Sequence, residues 1–347
     1  VPASETELIQ PTATEKVPAR QPHWWPGLLA SVGGAGLSIA VNFFVPGVSA
    51  MLIAILLGAV LANTVAPGSP MMRMLRPGLA IASRRLLRLG VVLLGLQLVL
   101  GDILALGWPI VVGVVAIVGG TMGITLLLGR VLKVGATQTL LIAGGFSICG
   151  AAAVAGIDGV LAKRKDAEAA TAVALVVVFG TVMIALMPAL AGLFGLDPRT
   201  AGIWTGASTH EVAQVVAAAG IIGPDALKVA VVVKLARVLM LAPVLAVISW
   251  RQRAESVGDS KRGPLMPLFV AGFVAMVALR SLGVVPTSVT DAAKVAQAWL
   301  LGAAMFALGT SVHWSVLKQA GKRPLILATA ATSVVLAIGG AVALLGR

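Results

Sequence analysis

Charge is scarce in this chain. Only 11% of its 347 residues are Asp, Glu, Lys or Arg, against 59% hydrophobic, and the mean hydropathy is +1.01. A soluble domain carries about 25% charged residues, so this chain cannot clothe itself for water, and a soluble enzyme is excluded. Cysteine is scarcer still. Cys149 stands alone, which excludes an intrachain disulfide and a cysteine-based metal cage. The three histidines, His23, His210 and His313, lie far apart in sequence and give no metal-ligand spacing. No Gly-x-x-x-x-Gly-Lys-Ser/Thr loop is present, so nothing points to ATP hydrolysis or to any cofactor.

What the chain does have is apolar length, enough for roughly ten crossings at about 20 residues each. It also has 26 basic residues against 13 acidic ones. A nucleic-acid binder gathers its Lys and Arg into a patch or stripe. Here most of them fall in short gaps between apolar runs, so the expected partner is a lipid bilayer and not nucleic acid.

Residues 1–26 read as a polar N-terminal tail. The run 27–44 reads as an extra first transmembrane helix; as a signal sequence it would have too long a polar leader. Ten further spans are expected near 48–66, 83–100, 108–129, 138–161, 169–193, 201–219, 227–250, 265–281, 293–312 and 324–346, making about eleven. With the tail and alternate loops on one side, fourteen basic residues fall there and six opposite. That asymmetry places the N-terminus in the cytoplasm and the C-terminus in the periplasm. The cluster Lys163-Arg164-Lys165 falls on the side this rule disfavours.

The chain also echoes itself. Ser83 to Leu89 and Val233 to Leu239 both set two cations three residues apart in an apolar helix, and Ala143 to Gly150 can be laid on Ala303 to Thr310. Five helices over 48–193 thus match five over 201–346. An odd number of spans per unit inverts the second copy, as in secondary transporters.

Three stretches carry chemistry. Gly144 to Gly156, with Ser147, Ile148, Cys149 and Gly150 at its centre, is rich enough in glycine to break a helix; it would serve equally for small-residue helix packing. A break at membrane depth would expose half-helix N–H groups to an anion, and Gly309 and Thr310 are its expected counterpart. In the second stretch, His210 and Glu211 lie inside a span, where polar groups are costly and face a cavity or a partner, unless both sit at the membrane surface. A zinc-protease helix needs a second His at 214, where this chain has Gln214. In the third, Lys234 and Arg237 share one helix face; they, and Arg84, Arg85 and Arg88, either meet a buried anion or snorkel to the interface. Asp158 is an interfacial carboxylate or a counter-ion to one of these cations.

The motifs Ser147-Ile148-Cys149-Gly150-Ala151-Ala152-Ala153, His210-Glu211-Val212-Ala213-Gln214 and Lys234-Leu235-Ala236-Arg237 together resemble the YeiH family of bacterial inner-membrane proteins, often labelled sulfate exporters. The likeness runs along nearly the whole chain after residue 26. It implies the architecture of bile-acid symporters and sodium/proton antiporters, with two crossing broken helices.

The expectation is therefore an all-α polytopic membrane protein of the inner membrane, a secondary transporter of a small anion such as sulfate or a sulfonate. Substrate would meet Ser147, Ile148, Cys149, Gly150, Lys234, Arg237, Gly309 and Thr310. His210 and Glu211 would couple a proton, with sodium as the other coupling ion; no metal or catalytic residue is expected, and a homo-oligomer is compatible. A cation/proton antiporter is the rival, short of carboxylates with only Asp158 and Glu211. An intramembrane enzyme or a scaffold ranks below both.

Overall fold

The computed structural model describes residues 23–44, 50–66, 68–161, 166–255, 268–311 and 321–346. The tail up to residue 22 and the Lys163 to Lys165 cluster lie outside them. Every regular element among the described residues is helical: α1 (Trp25–Phe44), α2 (Ala50–Thr64), α3 (Pro70–Ile81), α4 (Leu87–Leu94), α5 (Leu100–Ala105), α6 (Trp108–Val131), α7 (Ala136–Ser147), α8 (Ala151–Val160), α9 (Asp166–Leu193), α10 (Pro198–Ser208), α11 (Val212–Ile222), α12 (Pro224–Leu239), α13 (Leu241–Glu255), α14 (Leu268–Ser281), α15 (Thr287–Gly309) and α16 (Lys322–Leu345). Among the described residues six segments are long and apolar enough to cross a membrane: α1, α6, α9, α15, α16 and the stretch Pro224–Gln252 that joins α12 to α13. The protein is a polytopic all-α membrane protein.

Proline marks where several helices begin. Pro70, Pro198 and Pro224 each sit in the first turn, where the missing N–H is no loss and the ring's fixed φ already suits a helix. Ser69 caps α3 by accepting from Met72 N at 3.1 Å. That start, overlooked in the apolar pattern, lengthens the element expected at 83–100: α3 runs through a π turn, Ala82–Leu86, directly into α4. Arg84, Arg85 and Arg88 on this element are exposed, and the Arg88 guanidinium lies over the Phe269 ring, 5.6 Å from its centroid. Unlike Lys234 and Arg237, none of the three is buried.

Asp197 caps α10, its Oδ1 accepting from Thr200 N at 3.0 Å. Hydrogen bonding from Thr200 holds this loop carboxyl below the usual aspartate range. A depressed carboxyl pKa contributes stability above the unfolded-state value and loses it as pH falls through the folded-state value. Asp197→Ala is therefore expected to cost about 1 kcal/mol at neutral pH, and the gap between wild type and variant should close on acidification. Thermal midpoints across a pH series check this; equal midpoints at neutral pH would remove the cap from the account.

The helices fall into two packed groups. One contains α1, α2, α3, α4, α14 and α15; the other contains α6 to α12 and α16, and encloses the site. Gly58 and Gly309 bring α2 and α15 into backbone contact: a Cβ on Gly58 would lie 2.0 Å from Phe306 O, and one on Gly309 would lie 2.2 Å from Ile55 O. In the second group α16 packs along α6 and α10, and Trp204 Nε1 donates to Leu336 O at 2.9 Å.

Candidate functional site: two interrupted helices around a buried cation pair

The first interruption falls where glycine and small residues predict it. The α7 helix stops at Ser147, Ile148 leaves helical geometry at φ −108, ψ −89, and Gly150 takes φ +75 before α8 begins at Ala151. The second interruption is between α10 and α11, at Thr209, His210 and Glu211, with Thr209 and Glu211 extended. At the other expected break, Ala307 to Ser311, α15 ends at Gly309, Thr310 and Ser311 form a turn, and 312–320 lie outside the described residues. Thr310 turns its hydroxyl back onto Ala307 O at 2.6 Å, and Gly309 is occupied in close approach to α2. Gly309 thus packs on α2, and Thr209 to Glu211 supply the break that meets the first interruption.

Each interruption leaves carbonyls without helical partners, and in a bilayer such groups cost several kcal/mol each unless satisfied within the protein. The two cations of α12 satisfy them. Lys234 Nζ donates to Ile148 O and Thr209 O, both at 2.8 Å. Arg237 donates through Nε and Nη2 to Ser147 O at 3.1 and 2.7 Å, and through Nη2 to Phe146 O at 3.1 Å. Its Nη1 reaches Ala207 O at 2.7 Å, Thr209 O at 3.1 Å and Gly206 O at 3.3 Å. Both side chains are fully buried. Positive charge is thereby set at the C-terminal ends of α7 and α10, where the helix dipole is negative. In this arrangement all three guanidinium nitrogens of Arg237, and two of the three N–H groups of the Lys234 ammonium, are bonded to backbone carbonyls.

The opposite, N-terminal ends of α8 and α11 meet at Glu211. Its Oε1 accepts from Ala151 N at 2.9 Å, and it forms a capping box with Gln214, whose Oε1 accepts from Glu211 N at 3.1 Å. A carboxylate thus sits on the positive end of α8 while capping α11. Gly150 makes this possible, since a Cβ there would meet Glu211 Cγ at 2.4 Å and Oε1 at 2.8 Å. Gly180 does the same for Gln214, whose Oε1 would be 1.8 Å from a Cβ.

His210 and Glu211, adjacent in sequence, face different neighbours. His210 Nε2 lies 3.1 Å from Thr332 Oγ1 on α16, and its ring leans on Phe146 with centroids 4.5 Å apart. Glu211 faces α8 and a cavity of about 40 Å³. Cys149, Ala152, Val212 and Val238 line that cavity from the group holding the interruptions, and Met51, Val91, Leu301 and Met305 from the other. Among the described residues no cluster of three or more His, Cys, Asp or Glu side chains is placed to hold a metal ion.

The family model for conserved hypothetical protein 698 matches residues 26–328. A UPF0324 membrane protein of Corynebacterium glutamicum is 50% identical over 316 residues, 90% of each chain. A UPF0324 membrane protein of Pseudomonas aeruginosa is 38% identical over 328 residues, 87% of this chain and 89% of that one. The UPF0324 inner membrane protein YeiH of Escherichia coli is 37% identical over 323 residues, 92% of this chain and 88% of its own.

The chain belongs to the YeiH family.

No solved structure matches it. In this YeiH-family chain the expected site residues divide cleanly. Ser147, Ile148, Cys149, Gly150, Lys234, Arg237 and Glu211 come together; His210 touches the same crossing through Phe146; Gly309 packs on α2 and Thr310 bonds back to Ala307. The acceptors at Gly206, Ala207 and Thr209 were not foreseen, because backbone carbonyls carry no residue signature. The one available signal was Ser208-Thr209-His210-Glu211 inside an otherwise apolar run.

Proposed function

We propose that the protein is a secondary transporter of the inner membrane that moves a small anion, sulfate or a sulfonate, under an ion gradient, with its N-terminus cytoplasmic and its C-terminus periplasmic. The observation that carries this reading is the charge balance at the crossing: two fully buried cationic side chains face one carboxylate. The half-helix dipoles offset one another, two negative ends against two positive ends. An excess of positive charge at membrane depth attracts an anion. The seat an anion would take, at the α8 N-terminus, is held by Glu211 itself, so anion and carboxylate exclude each other. Proton uptake by Glu211 releases the Ala151 N–H and couples the two. On this reading coupling rests on Glu211, with His210 a neighbour of α16. We propose the inverted repeat of 48–193 and 201–346 as well; its support is the sequence match between the two units, since the two interruptions at the crossing do not occupy equivalent places in them.

The test is flux in proteoliposomes with an imposed pH gradient, using labelled sulfate and methanesulfonate. Wild type is expected to accumulate anion in response to the gradient. Glu211→Gln, which mimics the protonated carboxyl, should bind anion yet lose at least about tenfold of the gradient-driven flux. Anion flux that ignores the gradient, or that Glu211→Gln leaves unchanged, would overturn the coupling. The rival reading, a cation/proton antiporter, has one observation in its favour: the charged group lining the cavity is a carboxylate. It predicts sodium- or potassium-driven proton movement and no anion flux.

A further inference from the structure

The cavity beside Glu211 is walled almost throughout by hydrocarbon and thioether. Met51 on α2, Val91 on α4, Leu301 and Met305 on α15 and Val238 on α12 surround it, and its polar rim consists of the Glu211 carboxylate and the Cys149 thiol. Both rim groups are at least nine-tenths buried, at 3% and 5% exposure. An inorganic oxyanion offers polar oxygens in every direction and would leave several of them against apolar wall, where an unpaired polar group is penalised. A ligand with one charged end and one apolar end meets no such penalty.

We infer that the cargo is a short organic anion, a carboxylate or sulfonate bearing about one to three carbons, whose head displaces Glu211 from the α8 N-terminus and whose alkyl end fills this cavity. The inference rests on the anion reading above and narrows its substrate class. Length is set by volume. About 40 Å³ accommodates roughly three water-sized groups at about 10–15 Å³ each, so a propyl end is contained and the outer carbons of a hexyl end must lie beyond the apolar walls. The cavity also joins the two helix groups, because its walls come from both. An alkyl end held there touches the interrupted helices and their neighbours at once.

The experiment is a binding series on purified wild-type protein, read by ligand-induced thermal stabilisation, with inorganic sulfate, methane-, ethane-, propane- and hexanesulfonate, and propylammonium as the charge control. Binding of the folded state alone raises the midpoint by mass action. Affinity is expected to rise about fourfold per methylene up to propane, and to fall back for hexane. Val91→Phe, which fills the cavity from the wall opposite Glu211, should flatten the series. Its ligand-free midpoint reports whether it folds, and if it does not, the wild-type series decides alone. A series that is flat, or in which sulfate binds tightest, would overturn the inference and leave anion transport standing. Binding of propylammonium with no response to any anion would overturn the anion reading, and this inference with it.

Discussion

Arg237→Met is expected to leave the protein severely destabilised, by about 4 kcal/mol or more. The guanidinium donates to carbonyls of five residues, Phe146, Ser147, Gly206, Ala207 and Thr209, and a hydrogen bond to a charged group contributes about 1.5–3 kcal/mol. Removing it strands those carbonyls in a dry interior, and breaking one side of a buried charged network costs about 3–5 kcal/mol. Native proteins have only about 5–15 kcal/mol in hand. Arg237→Lys restores the charge but not the planar fork, so it should recover less than half of the loss. Lys234→Met removes two bonds and should cost less than Arg237→Met. The measurement is thermal unfolding in detergent, with size-exclusion profiles to detect aggregation. An Arg237→Met protein with the wild-type midpoint that has lost its response to anions would make Arg237 a ligand contact and overturn the backbone-satisfying role.

Gly150→Ala is the second large effect, expected at about 2–5 kcal/mol. Two costs combine. At φ +75 a Cβ is strained by about 1–2 kcal/mol, and overpacking typically adds about 1–3 kcal/mol. The overpacking falls on Glu211, whose Cγ and Oε1 would be 2.4 and 2.8 Å from the new atom, and on Val176 Cγ1 at 2.9 Å. Glu211 can relieve the clash only by leaving the α8 N-terminus, so the variant should also lose the pH-gradient response of flux. Gly220→Ala is the matched control. Gly220 is helical, with open space around its Cβ position, and the change there should be neutral or stabilising by up to about 1 kcal/mol. Equal midpoints for the two variants would refute the steric account of Gly150.

The all-helical membrane architecture was legible because apolar runs of span length cannot be hidden. Helix starts were less so. Ser69 and Pro70 open α3, but Arg73 and Arg76 dilute the apolar pattern there, and the element was expected to begin near 83. The first interruption was legible from Gly144, Gly145 and Gly150. The second was not, because glycine serves two purposes: Gly309 permits close packing on α2, and a linear sequence does not distinguish that from permission to unwind. The stretch Thr209 to Glu211 contains no glycine at all; it is held open by Lys234 and Arg237, which lie more than twenty residues further on. Burial of those two cations could be read from their apolar flanks. Their partners could not, since side-chain chemistry suggests a charged ligand while the actual acceptors are peptide oxygens.

Arg237 ties carbonyls of α7 and α10 through one planar group, and that has a mechanical consequence. The two interrupted helices cannot slide past each other without leaving guanidinium N–H groups facing hydrocarbon. Together with α12 they behave as a single riveted part, and the compliant seam is elsewhere. It runs along the apolar walls where Met51, Val91 and Met305 face Cys149 and Glu211, a surface of hydrocarbon and thioether that resists shear less than the bonded crossing does.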